Sequence, residues 1–278
     1  MGKADSGRRP RILISNDDGV MAPGLAALAE ALSPLGIVRI VAPDQDRSGT
    51  GHAITVHQPL EVFTVRIAGH FEAFAVRGTP ADCVKLGVLE LFAEPPDLVV
   101  AGINAGSNLG IDVIYSGTVS AAAEGTLLGI PSMAVSAVTD KSCPHFEPAK
   151  EVARLLARRL LREGLPPGVL LNVNVPDGIS EVARRLTWTR LGLNRRYRDA
   201  YQRQPAPEGN HHFWLTGDAD DGDRHDPSTD AGAVHLGRVS ITPVHFDLTD
   251  YRTLAHWGVY PGVEMALDAQ EAPPPLLA

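Results

Sequence analysis

The first half of the sequence alternates short apolar runs with segments in which apolar residues recur at helical spacing. Buried strands are predicted for residues 11–16 (RILISN), 38–44 (VRIVAPD) and 98–104 (LVVAGIN). Amphipathic helices are predicted for PGLAALAEALSPLG and for PADCVKLGVLELF, in which Pro80 suits the first helical turn. Strands that alternate with helices typically form parallel sheets covered on both faces. The pattern therefore predicts an α/β fold with a mostly parallel sheet.

Two stretches depart from this alternation. In residues 53–66 (AITVHQPLEVFTVR), alternating polar and apolar positions predict a β-hairpin that turns at residues 57–59. Beyond residue 183, two strand patterns (RLTWTRLG and RVSITPV) flank an Asp- and Gly-rich loop, and no linker precedes them. We therefore predict a core of residues 11–182, a smaller β-rich C-terminal extension of residues 183–270, and disordered tails of residues 1–10 and 271–278.

Composition and charge exclude several classes of protein. The 278 residues are 44% hydrophobic and 21% charged, as in ordinary soluble domains. The two cysteines, Cys83 and Cys143, form no CxxC pair, which argues against a disulfide scaffold and a zinc finger. A net charge of −8 without any long basic cluster argues against a nucleic-acid polymer as partner. No apolar leader or long apolar run occurs, so we expect a soluble cytoplasmic protein without a membrane partner.

Three predicted strands are followed by loops rich in oxygen-bearing side chains. These loops are Ser15-Asn16-Asp17-Asp18-Gly19, the segment APDQDRSG that contains Ser48, and the segment NAGSNLG that begins at Asn104. In open parallel sheets, ligands bind outside the carboxyl ends of the strands, where such loops meet. Carboxylate, hydroxyl and amide oxygens suit Mg²⁺, Mn²⁺ or Ca²⁺ better than zinc.

A predicted helix N-terminus at Ser116 supplies a candidate anion site. Ser116 has the character of an N-cap, and the amides of Gly117 and Thr118 would then lie in the positive first turn. Taken alone, this segment equally fits an ordinary helix cap. The Asp17-Asp18 pair, taken alone, fits a cap and a turn better than a metal site.

Several alternatives remain open on the residues alone. The sequence contains no Walker-type loop, GxSxG elbow or HExxH motif. The segment that begins Asp44-Gln45-Asp46 is close to the DxDx[TV] signature of haloacid-dehalogenase-like phosphatases, in which Asp44 would be a covalent nucleophile. A non-catalytic nucleotide- or metal-sensing module is a second alternative. An interaction protein whose acidic loops only cap helices and form turns is a third.

Longer blocks carry a resemblance to a known family. The blocks SNDDGVMAPG, VAPDQDRSGTGHAIT, GTPADCV, AGINAGSNLGIDVIYSGTVSAAAEG, LNVNVP and RVSITPVHFDLTD occur in order between residues 11 and 251. They resemble the SurE family of survival-protein nucleotidases. The resemblance implies a Rossmann-like catalytic core and a C-terminal extension that builds homodimers or homotetramers by segment exchange. It also implies a divalent-metal-dependent phosphomonoesterase that hydrolyses nucleoside 5′- and 3′-monophosphates, and sometimes short polyphosphate.

The resemblance also implies roles for individual residues. The family's metal ligands correspond to Asp17, Asp18, Ser48 and Asn104, which would hold one Mg²⁺ or Mn²⁺ per subunit, with Ca²⁺ as a substitute in crystals. Its phosphate-binding positions correspond to Asn108, Ser116, Gly117 and Thr118. The metal would assist the attack of water on phosphorus, and Asp17 or Asp18 would act as the catalytic base. Gln45-Asp46 departs from the family's usual Arg-Asn pair, which leaves substrate contacts from that loop unassigned.

Overall fold

The computed structural model of the chain describes residues 8–140, 142–178, 186–193, 197–207, 210–219 and 222–257. The strands are β1 (Arg11–Ser15), β2 (Ile37–Pro43), β3 (Val62–Ile67), β4 (Phe71–Val76), β5 (Leu98–Ala105), β6 (Ser132–Val138), β7 (Val169–Pro176), β8 (Leu186–Trp188), β9 (Tyr197–Pro205), β10 (His211–Ala219) and β11 (Val239–His245). The helices are α1 (Pro23–Leu32), α2 (Pro80–Leu86), α3 (Gly117–Leu127), α4 (Glu147–Glu163), α5 (Asp230–His235) and α6 (Tyr251–Trp257), with a π-helical turn at Gly87–Leu91 and a 3₁₀ turn at Gly110–Ile114. Residues up to Phe246 form one compact unit, and a second unit begins at Asp247.

A central sheet organises the first unit. Among the described residues it has nine strands in the order β3-β4-β2-β1-β5-β6-β7-β11-β8. The strands from β4 through β7 in this order run parallel to one another, while β3 and β11 pair antiparallel with β4 and β7. The predicted α/β class with a mostly parallel sheet is therefore confirmed.

Helices cover both faces of this sheet. Leu25 and Leu28 of α1 share one hydrophobic cluster with Val152 of α4, and Val84 of α2 shares a second cluster with Val119 of α3. Successive residues of β1 enter different clusters, so both faces of this strand are buried. This explains why RILIS is a continuous apolar run rather than an alternating one.

The predicted hairpin in residues 53–66 is wrong. The hairpin is formed instead by β3 and β4, and its turn contains Ala68 and Gly69 with φ angles of 47° and 75°. Consecutive positive φ angles match the twist of a tight hairpin, whereas Pro59 lacks the N–H group that strand pairing requires. The preceding segment binds the start of α2, where the Thr55 hydroxyl donates a 2.6 Å hydrogen bond to Asp82.

The C-terminal part of the first unit contributes to two sheets. Strand β11 inserts into the central sheet between β7 and β8, whereas β9 and β10 form a separate antiparallel pair. The buried Asp230, at the start of α5, accepts a 2.7 Å hydrogen bond from the amide of Gly110 and so ties this region to the loop after β5. The predicted boundary at residue 183 and the tail of residues 271–278 lie outside the described residues, as does most of the tail of residues 1–10.

None of the helices in the described ranges is both long enough and apolar enough to cross a lipid bilayer. The longest of them, α4, has 17 residues and exposes a charged face. It buries a stripe of Ala, Val and Leu residues against the sheet.

We predict that Leu28→Ala lowers the free energy of unfolding by about 2–5 kcal/mol, because it leaves a cavity at a fully buried position of α1. Leu127→Ala, at a position of α3 that is 61% exposed, is the matched control and should change this free energy by less than about 0.5 kcal/mol. Urea unfolding of the two variants and the wild type measures both values. Equal losses would contradict the assignment of Leu28 to the core.

Candidate active site

The sheet order creates a crevice at the carboxyl end of β1. From β1 the chain proceeds to β2 and β4 on one side and later returns to β5, β6 and β7 on the other. The order of strands therefore reverses between β1 and β5. Ligands of open α/β sheets bind at such a switch point, because neighbouring loops separate there. The loops after β1, β2 and β5 all lie at this edge.

Asp17 lies at the centre of this edge and is only 4% exposed. Its backbone oxygen accepts a 2.8 Å hydrogen bond from the amide of Arg47, in the loop after β2. Its carboxylate accepts a hydrogen bond from the hydroxyl of Thr118, in the first turn of α3. Burial raises the pKa of Asp17, and the hydrogen bonds from Thr118 oppose this rise. One buried carboxylate thus joins the loop after β1 to the start of α3.

Gly117 permits the close approach of α3 to Asp17. A Cβ atom at Gly117 would lie 2.7 Å from Cβ of Asp17 and 3.0 Å from Cγ of Pro80. The first of these distances is shorter than any van der Waals contact between carbon atoms. A side chain at this position would therefore push the helix start away from Asp17.

The predicted cap of α3 is confirmed. The hydroxyl of Ser116 accepts a 3.0 Å hydrogen bond from the amide of Val119, as an N-cap does. The carbonyl of Tyr115 accepts a 3.0 Å hydrogen bond from Gly51, which attaches the loop after β2 to this helix start. The positive end of α3 therefore points into the same crevice as Asp17.

Asp18 and Ser48 lie in the loops after β1 and β2, and Asn104 lies near the end of β5. The amide of Ala105 lies 3.4 Å from a carboxylate oxygen of Asp18, which places Asp18 beside the loop after β5. Ser48 is exposed, and its amide donates a 2.7 Å hydrogen bond to Asp46. The Asn104 amide nitrogen donates to the carbonyl of Gly106 at 2.9 Å, which orients its Oδ1 atom away from that contact.

The atoms of Asp17, Asp18, Ser48 and Asn104 that could bind a metal ion are oxygens. In the described part of the chain, no group of three or more His, Cys, Asp or Glu side chains is arranged to hold a metal ion. A cation here would therefore need hydroxyl or amide oxygens in addition to the carboxylates of Asp17 and Asp18. Such a mixed oxygen set is typical of Mg²⁺, Mn²⁺ and Ca²⁺ sites.

Asn108 is held by other elements of the sheet. Its side-chain amide donates a 2.8 Å hydrogen bond to the hydroxyl of Ser136 on β6, and its backbone contacts Asn174 on β7. The structure therefore places Asn108 at the β6 and β7 side of the crevice.

Asp44, the nucleophile of the alternative phosphatase hypothesis, lies between two guanidinium groups. Its carboxylate oxygens are 3.5 Å from Arg47 and 3.7 Å from Arg77. These ion pairs give Asp44 a charge partner at each oxygen. The arrangement accounts for this acidic residue without a covalent role.

The sequence analysis did not predict a charged cluster around the buried Glu124. This glutamate of α3 is 3% exposed, and its carboxylate is bound by Lys85 and, at 2.9 Å, by His52. The hydrogen bond from His52 is the main cause that lowers the pKa of Glu124. The sequence did contain an indication of this cluster, because Glu124 is the only charged residue of α3 (GTVSAAAEGTL). The cluster fastens the segment after Ser48 to α2 and α3.

Comparison with known proteins identifies the family. The family model described as survival protein SurE matches residues 12–198. A protein of Heliobacterium modesticaldum, named 5′-nucleotidase SurE, is 49% identical over 87% of this chain and 88% of its own length. The protein of the same name from Desulforudis audaxviator is 51% identical over 88% of this chain and 95% of its own length. The chain belongs to the SurE family.

A solved structure supports the fold of this SurE-family chain. The crystal structure of the SurE protein from Aquifex aeolicus superimposes with a TM-score of 0.75 and 41% sequence identity. The match covers 89% of this chain and 98% of the Aquifex chain. The resemblance drawn from the sequence blocks is thus confirmed, as is the expectation that the protein is an enzyme.

We predict that Thr118→Val raises the pKa of Asp17 further and lowers stability by about 1–3 kcal/mol, because a buried carboxylate loses its hydroxyl donor. Thr118→Ser keeps a hydroxyl and is the matched control, with most of the stability retained. Urea unfolding near neutral pH compares the two variants. Equal stability of the valine and serine variants would show that the hydroxyl does not support Asp17.

We predict a pH-dependent stability defect for Glu124→Gln. Because the folded-state pKa of Glu124 is lowered, its charge stabilises the protein above the ordinary value of 4.5, and this contribution is lost as the pH falls through the folded pKa. The variant should be about 1–3 kcal/mol less stable than the wild type at neutral pH, with a smaller difference in acid. Glu163→Gln, at an exposed carboxylate on α4, is the control. A pH-independent difference in urea unfolding would contradict this role of Glu124.

Proposed function

We propose that this SurE-family enzyme hydrolyses nucleoside 5′- and 3′-monophosphates, and short polyphosphate, with the help of a divalent cation. The relatives named 5′-nucleotidase SurE support the coarser statement, hydrolysis of nucleoside monophosphates. The observation that carries the proposal is the buried carboxylate of Asp17, which lies at the switch point of the sheet beside the start of α3. Activity on both 5′- and 3′-monophosphates is part of the proposal.

The residues at this edge fit one Mg²⁺ or Mn²⁺ per subunit. Burial raises the pKa of Asp17, so a cation beside it would relieve the cost of keeping the carboxylate charged. We assign its ligands to Asp17, Asp18, Ser48 and Asn104, all of which offer oxygen atoms. When bound, such an ion polarises a phosphoryl oxygen and makes water more acidic.

We assign proton transfer and phosphate binding to side chains and backbone amides of the protein. Asp17 or Asp18 would accept the proton of the attacking water, because these are the two carboxylates in the loop between β1 and α1. We assign phosphate binding to Asn108, Ser116, Gly117 and Thr118. The positive end of α3 and the Asn108 amide would stabilise the charge that grows on the phosphoryl oxygens. Orientation of the phosphate by these groups holds phosphorus in line for attack.

The β9–β10 pair supports self-association. Tyr201, Phe213 and Leu215 share one face of this pair, and each is at least 60% exposed. A two-stranded ribbon is marginally stable by itself, and exposed aromatic side chains favour burial against a partner. We propose that a second copy of the chain covers this face in a homodimer or homotetramer, and that residues 183–270 form the oligomerisation region. Location in the cytoplasm stays a prediction from the sequence.

We predict that the wild type releases phosphate from nucleoside monophosphates, that chelation abolishes this release, and that Mn²⁺ or Mg²⁺ restores it. Asp17→Asn should reduce the rate about 100-fold or more, because it removes both a ligand and a proton acceptor. The measurement is phosphate release from a panel of 5′- and 3′-monophosphates, with thermal unfolding to check that the variant is folded.

Asp44→Asn is the matched control for this experiment. It should keep most of the activity, because Asp44 is already engaged by Arg47 and Arg77. A phosphoaspartate trapped on Asp44, with full activity of Asp17→Asn, would favour the covalent phosphatase instead. Saturable nucleotide binding without phosphate release, under any of the cations, would indicate a sensing module.

A further inference from the structure

A row of polar residues crosses the sheet beside the candidate site. Asn104 on β5 is in register with Ser136 on β6, which is in register with Asn174 on β7. Side chains of residues in register lie on the same face of a sheet. Ser136 and Asn174 are fully buried, although central strands of this kind are usually apolar. Burial of polar groups costs free energy unless they form hydrogen bonds, so their partners show what they do.

Asn174 binds the backbone of Asn108 through both ends of its side-chain amide. Its Oδ1 atom accepts a 2.8 Å hydrogen bond from the amide of Asn108, and its Nδ2 atom donates a 2.9 Å hydrogen bond to the carbonyl of the same residue. The Nδ2 atom of Asn172, two residues earlier on β7, donates to that carbonyl at 2.8 Å. Three hydrogen bonds from one strand therefore fix a single residue of the loop after β5.

Ser136 holds the side chain of the same residue. Its hydroxyl accepts a 2.8 Å hydrogen bond from Nδ2 of Asn108. A carboxamide nitrogen carries two hydrogen atoms, so one donor of Asn108 is occupied and the other is directed away from Ser136. The backbone and the side chain of Asn108 are thus oriented separately, by β7 and by β6.

We propose that Asn174 and Ser136 are positioning residues for phosphate binding, which act through Asn108. The proposal rests on the proposed function, in which Asn108 binds the substrate phosphate. Asn174 fixes the position of the Asn108 backbone relative to the sheet. Ser136 orients the side-chain amide of Asn108 so that its second N–H group points toward the crevice. The motif LNVNVP, which contains Asn172 and Asn174, thereby receives a role at the site.

The test compares Asn174→Asp and Ser136→Ala with Ser240→Ala. Aspartate keeps the size of asparagine but replaces the donor to the Asn108 carbonyl by a second oxygen. Ser240 on β11 is in register with Asn174 and equally buried, but its hydroxyl has no hydrogen-bond partner in the described part of the chain. Ser240→Ala therefore removes a buried hydroxyl group from the same row of residues without removing a hydrogen bond to Asn108.

The primary measurement is the dissociation constant of inorganic phosphate, from calorimetric titration of each full-length variant with Mn²⁺ present. A misplaced donor to a charged group should weaken binding about 10- to 100-fold in Asn174→Asp and Ser136→Ala. Ser240→Ala should bind phosphate like the wild type. With a nucleoside monophosphate as substrate, KM should rise in the first two variants by a similar factor.

A double-mutant cycle separates positioning from a general loss of structure. In an Asn108→Ala background the backbone contacts of Asn174 remain, but the phosphate donor is gone. If Asn174 and Ser136 act through Asn108, their substitutions should weaken phosphate binding by less than about 3-fold in that background. A merely structural role would give the same loss in both backgrounds.

Three results would overturn the inference. These are phosphate binding unchanged in both variants, an equal effect of Ser240→Ala, and losses that are the same with and without Asn108. Absence of phosphate release by the wild type would instead overturn the proposed nucleotidase activity, and the phosphate titrations would still test the positioning role. If the wild type bound no inorganic phosphate, the KM values of the variants would decide the positioning role, and phosphate release would decide the nucleotidase activity.

Discussion

The hydrogen bond between Thr118 and the buried carboxylate of Asp17 is the contact on which the candidate site depends. A carboxylate that is 4% exposed costs free energy to keep charged, and a hydroxyl donor offsets part of that cost. The same residue accepts the amide of Arg47 through its backbone, so one aspartate unites the loops after β1 and β2 with the start of α3. Gly117 is required beside it, because any side chain there would overlap Asp17.

The topology of the sheet explains why this carboxylate lies where a ligand can approach. Strand β1 is central, and the reversal of strand order between β1 and β5 separates the loops at their carboxyl ends. Burial of both faces of β1 fixes the position of its last residue, Ser15, so Asp17 lies only two residues beyond a rigid element. The cluster of Glu124, His52 and Lys85 then restrains the far end of the loop that carries Ser48.

Local patterns were sufficient to predict several of these elements. The apolar runs located β1, β2 and β5, and the Ser116 cap and the Pro80 helix start were correct. Contacts between distant residues were not predictable in this way. Periodicity misplaced the hairpin because the positive φ angles at Ala68 and Gly69 decide its turn. The insertion of β11 beside β7, and the bond between Asn174 and Asn108, join residues more than 60 positions apart. No local pattern specifies such partners.

The hydrogen-bond directions also distinguish the two hydroxyls at the start of α3. The Thr118 hydroxyl gives its single proton to Asp17, so it cannot donate to a phosphate at the same time. The Ser116 hydroxyl accepts a bond from Val119 and therefore keeps its own proton for a ligand. Phosphate is an acceptor at every oxygen once it is fully ionised. The hydroxyl of Ser116 can thus donate directly to phosphate, whereas the hydroxyl of Thr118 contributes by holding Asp17 beside the positive end of the helix.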